Sequence, residues 1–164
     1  HHDIQRRDLT QSQREIVAHY DNATRWNDQV VDRILRNFAN EDAVVVYFSD
    51  HGEEVYDGSI SLYGRIHDEQ PSAEVIRHEY EVPFMIWGSR KFRRLHPGLF
   101  ERIQTAQHHP FSHDDLPHLL LGLAGIKTAY YKAHRDPLSP KFRPQRRLLR
   151  GNINYDEVMR SSRP

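Results

Sequence analysis

Ala43-Val44-Val45-Val46-Tyr47-Phe48-Ser49-Asp50-His51-Gly52-Glu53 is the stretch that organises the chain. Its apolar half is β-branched and aromatic and has the length of a buried strand. The run stops at an Asp-His pair, and Gly52 lets the backbone turn sharply once the strand ends. Asp50 and His51 then stand at the carboxyl end of a strand, where open α/β sheets hold their ligands. A carboxylate oxygen beside an imidazole nitrogen suits a zinc-like divalent cation and supplies two of the four ligands of a tetrahedral site. The same pair has a plainer use, with Asp50 capping the turn and His51 an ordinary loop residue. Spacing alone favours the plainer use. Glu53 and Glu54 deepen the negative potential nearby, and Glu53 is placed to support a ligand or the turn by hydrogen bonding rather than to bind the ion.

Upstream, Thr10-Gln11-Ser12-Gln13 and Ser12-Gln13-Arg14-Glu15 both fit the capping-box pattern of a helix start. Ile16, Tyr20, Ala23, Val30, Ile34 and Phe38 follow at mostly helical spacing up to Asn40. They predict an amphipathic helix of about seven turns, with Asn22 and Asn27 as candidate interruptions. Downstream, residues 52–80 hold Gly58, Gly64, Pro71 and many charges without sustained periodicity, the pattern of a long functional loop. His67, in Gly64-Arg65-Ile66-His67-Asp68, could meet a substrate phosphate or a second metal, although a surface histidine is the default. Glu81 to Gly88 reads as a second buried strand with Pro83 early in it.

Helical segments are expected over Ser89 to Leu95 and Pro97 to Gln107. His113-Asp114-Asp115-Leu116-Pro117 reads as a further helix start, with Asp114 as cap and Pro117 in the first turn. Leu119, Leu120, Leu121 and Leu123 form its apolar body, and Gly125 closes it. Prolines and arginines from Lys127 onward predict an extended, wrapping tail. Helix, strand, loop, strand, helix is an α/β order. Two confident strands are few for a free-standing sheet, so the chain reads as the second half of a larger one.

A length of 164 residues allows one domain with a real core. Its 23 basic and 23 acidic side chains cancel, so nothing global points to nucleic acid. The balance is uneven, however. From Lys127 to Pro164 ten Lys and Arg face only Asp136, Asp156 and Glu157. Such a tail meets phosphate or an anionic membrane surface, or else lies solvated across an acidic body. Cysteine is absent, so there is no disulfide framework. The apolar run near Leu119 to Ile126 is far short of a membrane span, and no secretory signal is visible. His1 and His2 are set aside as possible tag sequence. His78 lacks supporting context, and His108, His109, His113 and His118 do not have zinc-finger spacing. No nucleophile elbow, phosphate loop or dinucleotide fingerprint occurs.

Tyr20-Asp21-Asn22-Ala23, Ser49-Asp50-His51-Gly52-Glu53, Val82-Pro83-Phe84-Met85-Ile86-Trp87 and Asp114-Asp115-Leu116-Pro117-His118-Leu119-Leu120 occur in that order. In this the chain resembles the phosphoethanolamine transferases of the alkaline phosphatase/sulfatase superfamily. The resemblance implies the C-terminal portion of an alkaline-phosphatase-like three-layer α/β/α sandwich. Residues 1–126 would be the C-terminal part of the catalytic domain and 127–164 its basic wrapping tail. It also implies a domain on the periplasmic face of the inner membrane of a Gram-negative bacterium, behind N-terminal membrane helices outside this chain. Such enzymes move phosphoethanolamine from phosphatidylethanolamine to lipid A or another envelope glycan through a threonine nucleophile, expected upstream.

By the same resemblance Asp50 and His51 bind Zn2+ and Glu53 supports them. His67 best matches the loop histidine of the substrate phosphate or second metal. Relatives place that histidine sooner, in a Leu-His-Gly context, and many carry disulfides here. The alternatives are a sulfatase or phosphodiesterase of the same superfamily, or a non-catalytic envelope domain that binds lipid headgroups.

Overall fold

The computed structural model describes residues 8–57, 61–65 and 70–162; His67 lies outside the described residues. The chain divides into two compact units, one of His1–Asn40 with Val45–Trp87 and one of Glu41–Val44 with Gly88–Pro164.

In the first unit α1 (Gln11–Asn37) runs 27 residues without interruption at Asn22 or Asn27. Of the two candidate capping boxes, the Thr10 box forms. The Gln13 N–H donates to Thr10 Oγ1 at 3.3 Å, and the Thr10 N–H donates to Gln13 Oε1 at 2.8 Å. Near the other end an Arg36–Asp32 pair at 2.7 Å supports the helix one turn apart. The predicted apolar stripe is present but uncovered: Trp26 is 60% exposed, and Tyr20, Ile34 and Phe38 are also exposed.

β1 (Val44–Phe48) pairs with β4 (Phe84–Gly88) in a two-stranded sheet. The Ser49 N–H donates to Pro83 O, the Ser89 N–H donates to Ala43 O, and Phe48 stacks on Phe84 with centroids 6.0 Å apart. Those pairings run in opposite senses along the chain, so the strands are antiparallel. Both were expected to be buried; instead Val44 to Tyr47 and Phe84 to Trp87 are half-buried. A two-stranded sheet has too few neighbours to cover its own side chains.

The expected loop from 52 to 80 also departs from the reading. It contains a short antiparallel ladder of β2 (Glu54–Val55) with β3 (Tyr63–Gly64), followed by α2 (Ala73–Tyr80). Ser72 caps α2 by accepting the Val75 N–H at 3.3 Å. Val75 and Ile76 bury their side chains, and with Val55 and Leu9 they form the small apolar core of this unit. Eight residues are too few for a helical period to stand out among charges.

The second unit holds α3 (Arg90–Leu95), α4 (Pro97–Ala106), α5 (Leu116–Leu123) and α6 (Tyr155–Ser161). Ser89, fully buried, accepts the Phe92 N–H at 2.9 Å and donates to Glu41 O at 2.5 Å. Asp114 does not cap α5. A 3-10 turn over His113–Asp115 precedes the helix, and Asp115 is buried in an ion pair with Arg135.

Residues 131–138 pack on α5, and the tail expected to be extended ends in α6. The Lys132 N–H donates to His118 Nδ1 at 3.3 Å. A Cβ on Gly122 would sit 2.1 Å from Asp136 Oδ2, so only glycine lets that buried carboxylate approach. Asp136 in turn accepts from Tyr131 Oη at 2.8 Å and from the Leu138 N–H at 2.9 Å. Leu119 and Leu138 lie in the middle of this packing. His109 stacks on Phe142 with centroids 4.9 Å apart, so this histidine serves packing.

Candidate metal centre

The turn after β1 is held from three sides. Ser49 Oγ donates to His51 O at 2.8 Å, the His51 N–H donates to Asp50 Oδ1 at 3.1 Å, and the Gly52 N–H donates to Glu79 O at 2.8 Å. Gly52 is required by that last approach, because a Cβ there would lie 1.9 Å from the His78 carbonyl oxygen.

The His51 ring places Nδ1 3.1 Å from Gly52 O and Nε2 3.7 Å from Asp50 Oδ2. With the proton on Nδ1 donated to that carbonyl, Nε2 keeps its lone pair for a cation. Two ligand atoms on one tetrahedral zinc ion, each bonded at about 2.0–2.1 Å, lie about 3.3–3.4 Å apart. The observed 3.7 Å is within a few tenths of an ångström of that separation. Asp50 is exposed and His51 half-buried, so both ligand atoms are open to an ion and to further ligands. The pair fits zinc as half of a ligand set.

Glu53 is half-buried, and its charge raises the Tyr20 phenol pKa, second to burial of that ring. It therefore lies close enough to α1 to act on its aromatic face. Glu54, read from the sequence only as added negative charge, is fully buried. Its Oε2 and Oε1 sit 2.9 Å and 3.1 Å from His78 Nδ1. Burial raises the Glu54 carboxyl pKa, against the lowering effect of the His78 hydrogen bond and charge. Asp57 Oδ2 accepts the Val55 N–H at 3.1 Å. Glu54, Asp57 and His78 thus offer donor atoms within 4.8 Å of one another. This group joins the ladder to the last turn of α2, 24 residues away, and no local spacing signals it.

The comparisons bear on this geometry. The family model described as Sulfatase matches residues 3–126, which include the β1 turn. The chain belongs to the sulfatase family. It is 34% identical over 159 residues to phosphoethanolamine transferase EptC of Escherichia coli K12, covering 92% of this chain and 26% of that protein. It is 30% identical over 137 residues to phosphoethanolamine transferase EptA of Salmonella typhimurium, covering 79% of this chain and 24% of that one. The chain thus spans about a quarter of the length of these relatives.

Among solved structures it superposes on the C-terminal periplasmic domain of Escherichia coli EptC in complex with Zn. The TM-score is 0.80 at 31% identity, over 98% of this chain and 45% of that domain. The α/β fold expected from the sequence is therefore that of a sulfatase-type domain. Among the described residues no helix is long and apolar enough to cross a membrane.

Proposed function

We propose that this chain is the C-terminal part of the catalytic domain of a zinc-dependent, periplasmic phosphoethanolamine transferase. The whole enzyme would move phosphoethanolamine from phosphatidylethanolamine to lipid A or another envelope glycan. The observation that carries this reading is the Asp50–His51 pair, whose Oδ2 and Nε2 stand 3.7 Å apart at the end of β1. Asp50 and His51 are its zinc ligands, and Glu53 supports the site from the α1 side. The relatives and the Zn-containing domain lend weight to the same chemistry.

Bound zinc would lower the pKa of a hydroxyl nucleophile and offset charge on the transferring phosphoryl group. What these residues contribute is position. The Gly52 carbonyl fixes the His51 tautomer, the His51 N–H orients the Asp50 carboxylate, and the Gly52–Glu79 bond anchors both to α2. The threonine nucleophile, the remaining ligands and the membrane helices would lie outside this chain, and His67 would face the phosphate or a second metal.

Zinc calorimetry on this chain tests the reading. Two ligands of four should give weak binding that Asp50→Ala abolishes and Glu54→Gln leaves in place. Equal affinity in the parent and Asp50→Ala would refute it. Binding lost only in Glu54→Gln would move the ion to the Glu54, Asp57 and His78 group, which offers one more donor. Nanomolar affinity from this chain alone would show that the ligand inventory is incomplete.

A further inference from the structure

The second unit carries a cationic strip. Lys141-Phe142-Arg143-Pro144-Gln145-Arg146-Arg147-Leu148-Leu149-Arg150 has five cations and no acid. Lys141, Arg143 and Arg146 are exposed. The acids of this region are already engaged. Asp136 is buried against Tyr131 and Leu138, Asp156 is paired with Arg147, and Glu157 accepts from the Asn154 side chain at 2.7 Å. No helix or sheet strand runs through residues 142–147, and Pro140 and Pro144 favour extended backbone.

The strip is nevertheless fixed at both ends. The Arg143 N–H donates to His134 O at 2.9 Å, and the Tyr155 N–H donates to Arg147 O at 2.9 Å. The Leu149 N–H donates to Ile153 O at 2.8 Å. Arg147 also lies over the Tyr155 ring, 4.3 Å from its centroid. The exposed cations are thus presented on anchored backbone, so the backbone adds little ordering cost to binding. Leu148, 47% exposed, adds an apolar side chain to the same strip.

We infer that this strip docks on an anionic phospholipid bilayer surface. Cations on anchored backbone beside an exposed leucine match the phosphate layer and the acyl boundary beneath it, whereas a soluble polyanion would use the cations alone. The inference stands independently of the metal centre.

Co-sedimentation of this chain with vesicles of phosphatidylethanolamine and phosphatidylglycerol tests it. Each cation near such a surface strengthens partition about fivefold. The triple variant Lys141→Gln, Arg143→Gln, Arg146→Gln should therefore bind about a hundredfold more weakly. A charge-matched control, Arg14→Gln, Arg33→Gln, Arg36→Gln on α1, should bind like the parent, and unchanged circular dichroism checks folding of both. Vesicles of phosphatidylcholine alone should not bind, and added salt should release the chain. Equal binding to neutral vesicles, equal loss in both triple variants, or undiminished binding by the strip variant would each overturn the inference. Release by millimolar inorganic phosphate at constant ionic strength would also overturn it, leaving a phosphate subsite instead.

Discussion

Gly52→Ala is the most demanding perturbation of the turn after β1. The added Cβ would lie 1.9 Å from the His78 carbonyl oxygen, 3.1 Å from its carbon and 3.3 Å from the Glu79 Cα. All three atoms are backbone in the last turn of α2, so no side-chain rotation relieves the clash. Either the turn or the helix end must retreat until ordinary contact, which begins at 3.4 Å, is restored. Overpacking of this kind costs about 1–3 kcal/mol. The same retreat breaks the Gly52–Glu79 hydrogen bond, adding about 1 kcal/mol. The expected loss is about 2–4 kcal/mol, read as a shift in the urea midpoint. Zinc affinity should fall with it, because the Gly52 carbonyl also orients His51. Gly98→Ala is the control: its Cβ meets nothing within 4 Å, so it should be neutral or stabilising by up to about 1 kcal/mol. A Gly52→Ala chain within about 0.5 kcal/mol of the parent, with unchanged zinc binding, would refute the geometry argued for this turn.

Two further outcomes follow from the buried titratable groups. Burial, then the Arg135 charge, holds the His118 ring below its usual value of 6.5. The unfolded chain therefore takes up a proton before the folded one as pH falls through about 6.5. Stability should drop below that pH until the folded ring also titrates, and His118→Gln should remove this part of the slope in denaturation midpoints measured across the range. His78→Ala leaves the buried Glu54 carboxylate without its imidazole and should cost about 2–4 kcal/mol. Adding Glu54→Leu should recover most of that loss in a double-mutant cycle, and a purely additive cycle would show that the pair is not coupled.

Legibility in the sequence followed the range of the interactions involved. The α1 start was readable because a capping box is closed within four residues, and β1 and β4 because apolar runs identify themselves. Gly125 closes the turn after α5 with φ +67°, as a glycine past a helix end should. α2 was hidden because Ser72, its cap, stands among charges and the helix is only two turns long. Asp115 was hidden behind Asp114 because its role depends on Arg135, twenty residues away. At the site, adjacency in sequence made Asp50 and His51 visible together. Glu54 and His78 could not be matched without knowing that α2 folds back onto β2. The half-buried state of β1 is legible only through strand count: composition reports what a strand can bury, and two strands are too few to cover it.

Cover is also what links α1 to the Asp50–His51 pair. Tyr20, Trp26, Ile34 and Phe38 leave a stripe of large apolar side chains exposed along the helix. Each is already about half covered, so covering the rest would contribute about half of the usual 1.5–3 kcal/mol, about 3–6 kcal/mol for the four together, a sizeable share of the net stability of a domain. The same unit holds a zinc-compatible pair with two of four ligands, and Glu53 beside Tyr20 places the pair next to the stripe. The solved domain that this chain matches is more than twice as long as the part matched. On the proposed reading, packing of the remaining part on α1 and completion of the ligand set are one event. Metal affinity and helix burial should then rise together, and a longer chain that gained one without the other would break the connection.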